Sequence, residues 1–280
     1  MNEEIITLPL LALRGMMVFP GMIINLDVGR EKSIAAVEAA MEGNRRLLLT
    51  TQKDAALTDV QPDDLYKFGS LAEVKQLLKL PNGAIRILVE GLERVEYVSV
   101  IDSATEKVYF AGHARILEPV LGYEVEVEAL RRMLIEAFEQ WVLVTKKVNS
   151  EVLQALKGQP DPGRVTDMIA GYLTVAMEEK QQLLELANVQ KRMHKLYELL
   201  SKELEIAGLE KNIAQEVRKQ IERNQKEYYL REQIKAINKE LGEGDELKAE
   251  IEEYRKQMAD LALPEAVVTK IEKELDRLYK

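Results

Sequence analysis

Short apolar runs broken by turn residues fill the chain up to about Glu118, and a three- and four-residue apolar period takes over after Pro119. In the first part, Ile5 to Leu13, Met22 to Val28 and Arg46 to Thr51 are compact and bounded by turn residues, which reads as β-strands. Leu80-Pro81-Asn82-Gly83 gives the sharpest local signal, because Asn-Gly tolerates the positive φ of a tight hairpin turn. Ser70 to Leu80 leads into this turn, and Ala84 to Val100 leaves it with Ile85, Ile87 and Val89 alternating. Lys107 to Ile116 supplies a returning strand. Glu31 to Met41 interrupts the series as a helix with Ile34, Val37 and Met41 on one face. A strand-rich segment of this kind is expected to close as a small barrel or sandwich.

Beyond Pro119, Leu130, Leu134, Ala137, Phe138 and Trp141 mark a helix over Val125 to Thr145. Asp161-Pro162 has the form of an N-cap and a first-turn proline, opening a helix through Tyr172. Together these predict a small bundle up to about Ala187. From Asn188 to Leu241 there is no proline, and Gly208 is the sole glycine. Val189, Met193, Leu196, Leu200, Leu204 and Ala207 form one stripe there, and Leu230, Ile234, Ile237 and Leu241 another. Acid–base pairs such as Glu227 and Arg231 stand at i, i+4. A continuous helix would be on the order of 80 Å long, more than a small domain can cover. Gly208 and Asn224 weaken the heptad and predict a bend or partial melting. Gly242-Glu243-Gly244-Asp245 stops the helix, and Asp245 to Leu261 and Pro264 to Tyr279 follow as two more. The last of these reaches the chain end without a stop signal, as expected of a piece of a longer protein. The expected organisation is α+β: a β domain over 1–118, a helical subdomain over 119–187, a long linking helix over 188–241 and a helical pair over 242–280.

Composition narrows the function. The net charge is −9 and the pI about 5.1, which counts against a general nucleic-acid binder. The absence of cysteine removes disulfides, thiolate metal sites and cysteine nucleophiles, and makes the reducing cytoplasm the expected compartment. The apolar start is no export signal, because Glu3 and Glu4 precede it and Pro9, Arg14, Gly15 and Pro20 break it. The longest later apolar run, Met168 to Met177, falls short of the roughly 20 residues a membrane helix needs.

No catalytic constellation emerges. The nearest match to a phosphate-binding loop runs from Gly158 to Val165. There Pro160 and Pro162 each remove a backbone donor, and Val165 cannot ligate magnesium. A turn between helices is the expected structure. His113 and His194 are the only histidines, and neither sits in a metal-ligand or nucleophile–base spacing. Expected catalytic residues, metal ligands and cofactors of this chain are therefore none.

Candidate binding residues cluster instead at strand junctions. Met16, Met17, Phe19, Pro20 and Met22 gather at a Gly/Pro-broken junction, and methionine's flexible, polarizable side chain suits a surface accepting many apolar sequences. Leu78, Leu80 and Pro81 place further apolar bulk beside the hairpin turn. The competing reading puts these residues in the end of the barrel core. For assembly, the candidates are Met193, Leu196, Leu200, Leu204, Tyr228, Tyr229, Leu230, Ile234 and Ile237 on the long helix.

Three segments carry a family resemblance. The first comprises Leu8-Pro9-Leu10-Leu11-Ala12-Leu13-Arg14, Val18-Phe19-Pro20-Gly21-Met22 and Val28-Gly29-Arg30-Glu31-Lys32-Ser33. The second is Leu80-Pro81-Asn82-Gly83 through Val89-Glu90-Gly91-Leu92-Glu93-Arg94. The third is Gln225-Lys226-Glu227-Tyr228-Tyr229-Leu230-Arg231-Glu232-Gln233. Each resembles the corresponding stretch of bacterial Lon proteases, in the same order. The resemblance implies a PUA-like β-barrel domain, a helical subdomain and a long, partly coiled-coil-like helix leading toward an ATPase. It also implies a homohexameric parent that uses ATP and magnesium to drive unfolded or damaged proteins into a Ser-Lys protease chamber. The alternative is a free-standing PUA-like module for RNA or a small ligand.

Overall fold

The computed structural model describes residues 5–81, 83–103, 108–241, 243–261 and 263–279. Glu3 and Glu4 of the leader, Asn82 of the predicted turn, Lys107 at the predicted strand start and Gly242 of the predicted stop lie outside them. The chain divides into two compact units, one ending at Glu210 and one beginning at Lys211.

In the first unit the order is β1 (Ile5–Leu13), β2 (Ile23–Val28), α1 (Glu31–Glu42), β3 (Arg46–Thr51), β4 (Phe68–Lys79), β5 (Ile85–Asp102) and β6 (Phe110–Ile116). The sheet order is β2-β5-β4-β3-β1-β6, and β6 also pairs with β5. That second pairing closes β5, β4, β3, β1 and β6 into a barrel and leaves β2 as an appended strand on the first half of β5. β1 and β3 run parallel, and the other pairings are antiparallel. The unbroken apolar run of β3 is explained by burial on both faces. Leu47 and Leu49 join a cluster with Val37, Ile87 and Val89, while Leu48 joins Leu10, Leu71 and Phe110 on the other side. At the predicted hairpin, Gly83 N donates to Leu80 O at 3.1 Å and Gly83 takes φ +81°.

The helical subdomain comprises α2 (Glu124–Thr145), α3 (Ser150–Gly158), α4 (Pro162–Tyr172), α5 (Met177–Glu185) and the start of α6 (Val189–Leu241). Asp161 caps α4 as its sequence predicts, its Oδ1 accepting from Gly163 N at 2.8 Å. Helices α3 and α5 have too few periodic apolar residues for the pattern to show, and sequence reading misses both. Phe138 and Trp141 of α2 stack inside the bundle with centroids 5.6 Å apart. The predicted melting of α6 is not there: the helix continues unbroken through Gly208 and Asn224. Asn224 accepts from Gln220 one turn back, so its polar side chain stays on the helix surface rather than interrupting it. In the second unit α7 (Glu243–Asp260) and α8 (Glu265–Tyr279) pack together, with Ile251 and Leu275 buried and Arg255 paired with Asp276 at 3.1 Å.

Candidate functional site

The junction after β1 does not form the apolar surface its composition suggests. Phe19 has no exposure, Met17 is 7% exposed and Pro20 is also buried. Met16 and Met22 are half-buried. Successive side chains here enter two different cores. Val18 packs with the strands and α1, whereas Met17 and Phe19 pack among the helices, and Met22 touches both clusters. Strand alternation sends neighbours to opposite sides, and in this seam both sides are protein. Gly91 makes the close approach possible, because a Cβ there would lie 2.4 Å from Phe19 O. Gly21, at φ +83°, completes the turn by donating to Gly91 O at 2.8 Å.

The hairpin candidates lie differently. Leu78 and Pro81 are exposed and Leu80 is half-buried. Leu78 faces outward on β4, opposite Arg86 of β5. Ile87 and Val89 point into the core, so Arg86, Leu88 and Glu90 form the outer row of β5. On β2 the outer row is Ile23, Asn25 and Asp27, with Ile23 opposite Glu90 and Asn25 opposite Leu88. Ile23, Leu88 and Leu78 therefore run diagonally across three strands, at the i, j±2 spacing still within reach of long side chains. Ile23 is 63% exposed and Leu78 59%. Sequence reading missed Ile23 because β2's alternation could not be oriented without its partner strand.

Ion pairs flank this diagonal. Arg86 holds Asp27 through two bonds of 2.6 and 2.9 Å, and the guanidinium keeps that carboxyl below the usual carboxylate range. Lys75 reaches Glu73 at 2.9 Å and Glu90 at 2.8 Å. These exposed pairs add little stability but keep the rim charged around an apolar line.

On α6 the assembly candidates separate into two groups. Met193, Leu196 and Leu200 have no exposure and Leu204 is partly buried; all four belong to the chain's own helical core, so the expectation that they pair between protomers is corrected. The bundle that α2 to α5 begin lacks a wall until α6 supplies these residues. Tyr228, Tyr229, Leu230, Ile234 and Ile237 are exposed, as are Ile213, Val217 and Ile221.

The stretch from Gly158 to Val165 is the predicted inter-helix turn, and Val165 is wholly buried in the bundle. His113 Nδ1 lies 2.8 Å from Thr7 Oγ1, and His194 Nε2 lies 3.2 Å from Glu126 Oε1. Both pairs lie at the surface, and among the described residues no third side chain orients either imidazole. Among the described residues no group of three or more His, Asp or Glu could hold a metal, and no helix is long and apolar enough to cross a membrane.

One buried polar group escaped the sequence altogether. Arg94 of β5 chelates Asp167 of α4, with Nη1 2.7 Å from Oδ2 and Nη2 donating to Oδ1. Its Nε donates to Leu184 O at 3.2 Å. Arg192 of α6 stands on the other side of the same carboxylate, Nε 3.3 Å from Oδ1. The three side chains tie barrel to bundle, and they line a cleft of about 490 Å³ together with Pro20, Leu92, Leu117, Leu121 and Arg164.

Residues 7–202 match the family model for the ATP-dependent protease La (LON) substrate-binding domain. The chain is 46% identical over 273 residues to a Lon protease of Brevibacillus choshinensis, covering 98% of this chain and 35% of that protein. It is 47% identical over 279 residues to a Lon protease of Heliobacterium modesticaldum, covering 100% and 34%. The solved N-terminal domain of Mycobacterium avium complex Lon protease superposes with a TM-score of 0.57 at 20% identity, covering 70% of this chain and 98% of that one, which supports the fold alone. The chain spans about a third of the length of the curated relatives it matches.

Proposed function

This chain belongs to the Lon substrate-binding family, and from that membership we propose that it captures unfolded client proteins for an ATP-dependent serine protease and supports that protease's assembly. The parent degrades misfolded and short-lived regulatory proteins in the cytoplasm as a homohexamer. ATP, magnesium and the Ser-Lys chemistry belong to its other domains. The observation carrying the reading is the diagonal across β2, β5 and β4 in which exposed Ile23 and Leu78 flank half-buried Leu88. A large apolar row on the solvent side of a sheet has no structural task within the chain, and it suits weak, sequence-tolerant contacts that several copies strengthen by avidity. The exposed stripe from Ile213 to Ile237 on α6 is the proposed assembly surface. Met17, Phe19 and Pro20 support the site from beneath by fixing barrel to bundle.

The test replaces Ile23 or Leu78 with Ser and measures binding of a permanently unfolded protein to the purified chain. Burying one such side chain contributes about 1.5–3 kcal/mol, so each substitution should weaken binding roughly ten- to hundredfold with the melting temperature unchanged. Unaltered affinity in both folded variants would sink the proposal.

A further inference from the structure

The cleft between β5, α4 and α6 holds an unequal set of buried charges. Arg94 and Arg192 are 7% and 2% exposed, and Asp167 is the one carboxylate buried with them among the described residues. Arg94 satisfies that carboxylate through both of its oxygens. Arg192 is left with a single hydrogen bond among the described residues, from Nη1 to Leu186 O at 2.6 Å. Its Nε is buried without a hydrogen-bond partner, although the Asp167 oxygen stands 3.3 Å away. Burial and the neighbouring Arg94 charge depress the Arg192 guanidinium to about 10, with Asp167 opposing. A guanidinium presents a fork of donors, and a buried one left without a partner is costly.

The surroundings say what would complete the set. Arg164 and Asp161, the other charges nearest the α4 start, are half-exposed and lie 4.0 Å apart, so Asp161 is divided between Arg164 and the Arg192 charge, which it offsets less than Asp167 does. Asp161 already occupies the Gly163 and Arg164 amides and Arg94 is engaged through all three nitrogens, leaving Arg192 as the guanidinium with an unmatched donor. The positive end of α4 adds to the same sign. Apart from Glu93, which is exposed to solvent, the remaining walls, among them Leu92, Leu117, Leu121 and Pro20, are apolar. A hydrated inorganic anion gains nothing from such walls, whereas a carboxylate attached to an apolar chain does.

We propose that this cleft binds the terminal carboxylate of a polypeptide whose last side chains are apolar, with Arg192 and Arg164 receiving the carboxylate and Leu92, Leu117 and Leu121 the side chains. This gives the client-capturing reading a second, chemically selective contact and rests on that reading. A client would be held by its interior segments on the outer sheet face and by its end in the cleft. Planar carboxylates are matched by the guanidinium fork, and such charge-assisted bonds are about twice as strong as neutral ones.

Fluorescence anisotropy with a short amino-terminally labelled peptide ending in Ala-Leu-Leu tests the proposal on the chain as it stands. Three forms are compared: free carboxylate, carboxamide, and carboxamide with an internal aspartate. The free acid should bind at least about tenfold more tightly than either amide. Arg192→Met should abolish that preference and Arg164→Gln should reduce it. Equal binding of acid and amide, no binding of any form at millimolar peptide, or displacement by inorganic phosphate as effectively as by the unlabelled acid would each overturn it. If Arg192→Met does not fold, the acid-to-amide ratio on the unaltered chain and the Arg164→Gln variant decide alone. An unfolded client with an amidated end separates the two readings. If it still binds through Ile23 and Leu78 while the peptides show no acid preference, only the cleft proposal fails.

Discussion

Tyr97 shows at the scale of one residue how the barrel accommodates a polar atom. Its hydroxyl is buried and donates to Leu49 O at 2.9 Å. Gly69 leaves the space, since a Cβ there would fall 2.6 Å from that hydroxyl. Burial pushes the phenol well above its ordinary value of 10. Tyr97→Phe should lower stability by about 1 kcal/mol at neutral pH. The deficit should then shrink as pH rises past 10. There the unfolded phenol loses its proton while the folded one keeps it, so only the parent chain is destabilised through this group. Urea unfolding of both proteins at pH 8 and above pH 10 measures the gap, and a gap that stays constant or widens contradicts the account. Single residues were also where the sequence was least legible. Arg94 and Asp167 are 73 positions apart, and each has the look of an ordinary solvated charge in its own segment. The pairing exists only because β5 and α4 meet, so no local pattern could announce it. Phe19 was left undecided between surface and barrel core for a related reason: an apolar cluster beside a turn cannot be assigned to the right core when one core is assumed, and this seam has two.

Among the elements, α6 shows what apolar periodicity encodes and what it leaves open. The stripe through Met193, Leu196 and Leu200 and the stripe through Leu230, Ile234 and Ile237 carry the same three- and four-residue spacing. The first fills the chain's own bundle and the second faces solvent. Spacing fixes which side of a helix is apolar, but the partner is set by how many other helices the chain can bring to that side. Strand boundaries were more readable: β1 and β3 fall where their apolar runs do, and β4 and β5 flank the Leu80 turn. The division within α6 has a direct consequence. Leu200→Ala should cost about 2–5 kcal/mol in unfolding experiments, as large-to-small core changes do. Ile234→Ser should change stability by less than about 0.5 kcal/mol, because its side chain is already in water. It should instead reduce self-association in sedimentation velocity at micromolar chain. An Ile234→Ser chain that associates like the parent would remove this stripe from the assembly surface.

For the whole molecule, the question is where an independently folding part ends. The sequence period suggested a helical subdomain closing at Ala187, yet Val189, Met193, Leu196, Leu199 and Leu200 of α6 lie buried in the same cluster as Phe138 and Trp141. A chain cut at Ala187 would lose five large apolar side chains from that core. At about 2–3 kcal/mol each, the loss is on the order of 10 kcal/mol, as large as the total stability of a typical domain. It should not fold. A chain cut at Glu210 keeps every one of them and ends where the first compact unit does. Trp141 is the sole tryptophan, is 1% exposed and belongs to that unit, so its fluorescence reports on this core alone. The expected result is that the Glu210 chain unfolds, by tryptophan fluorescence, at the same denaturant midpoint as the full chain. Circular dichroism of the full chain should show additional helix melting from residues 211–280 outside that transition. A midpoint lowered by more than about 1 kcal/mol equivalent would mean that the second unit stabilises the first, and the division at Glu210 would then be wrong.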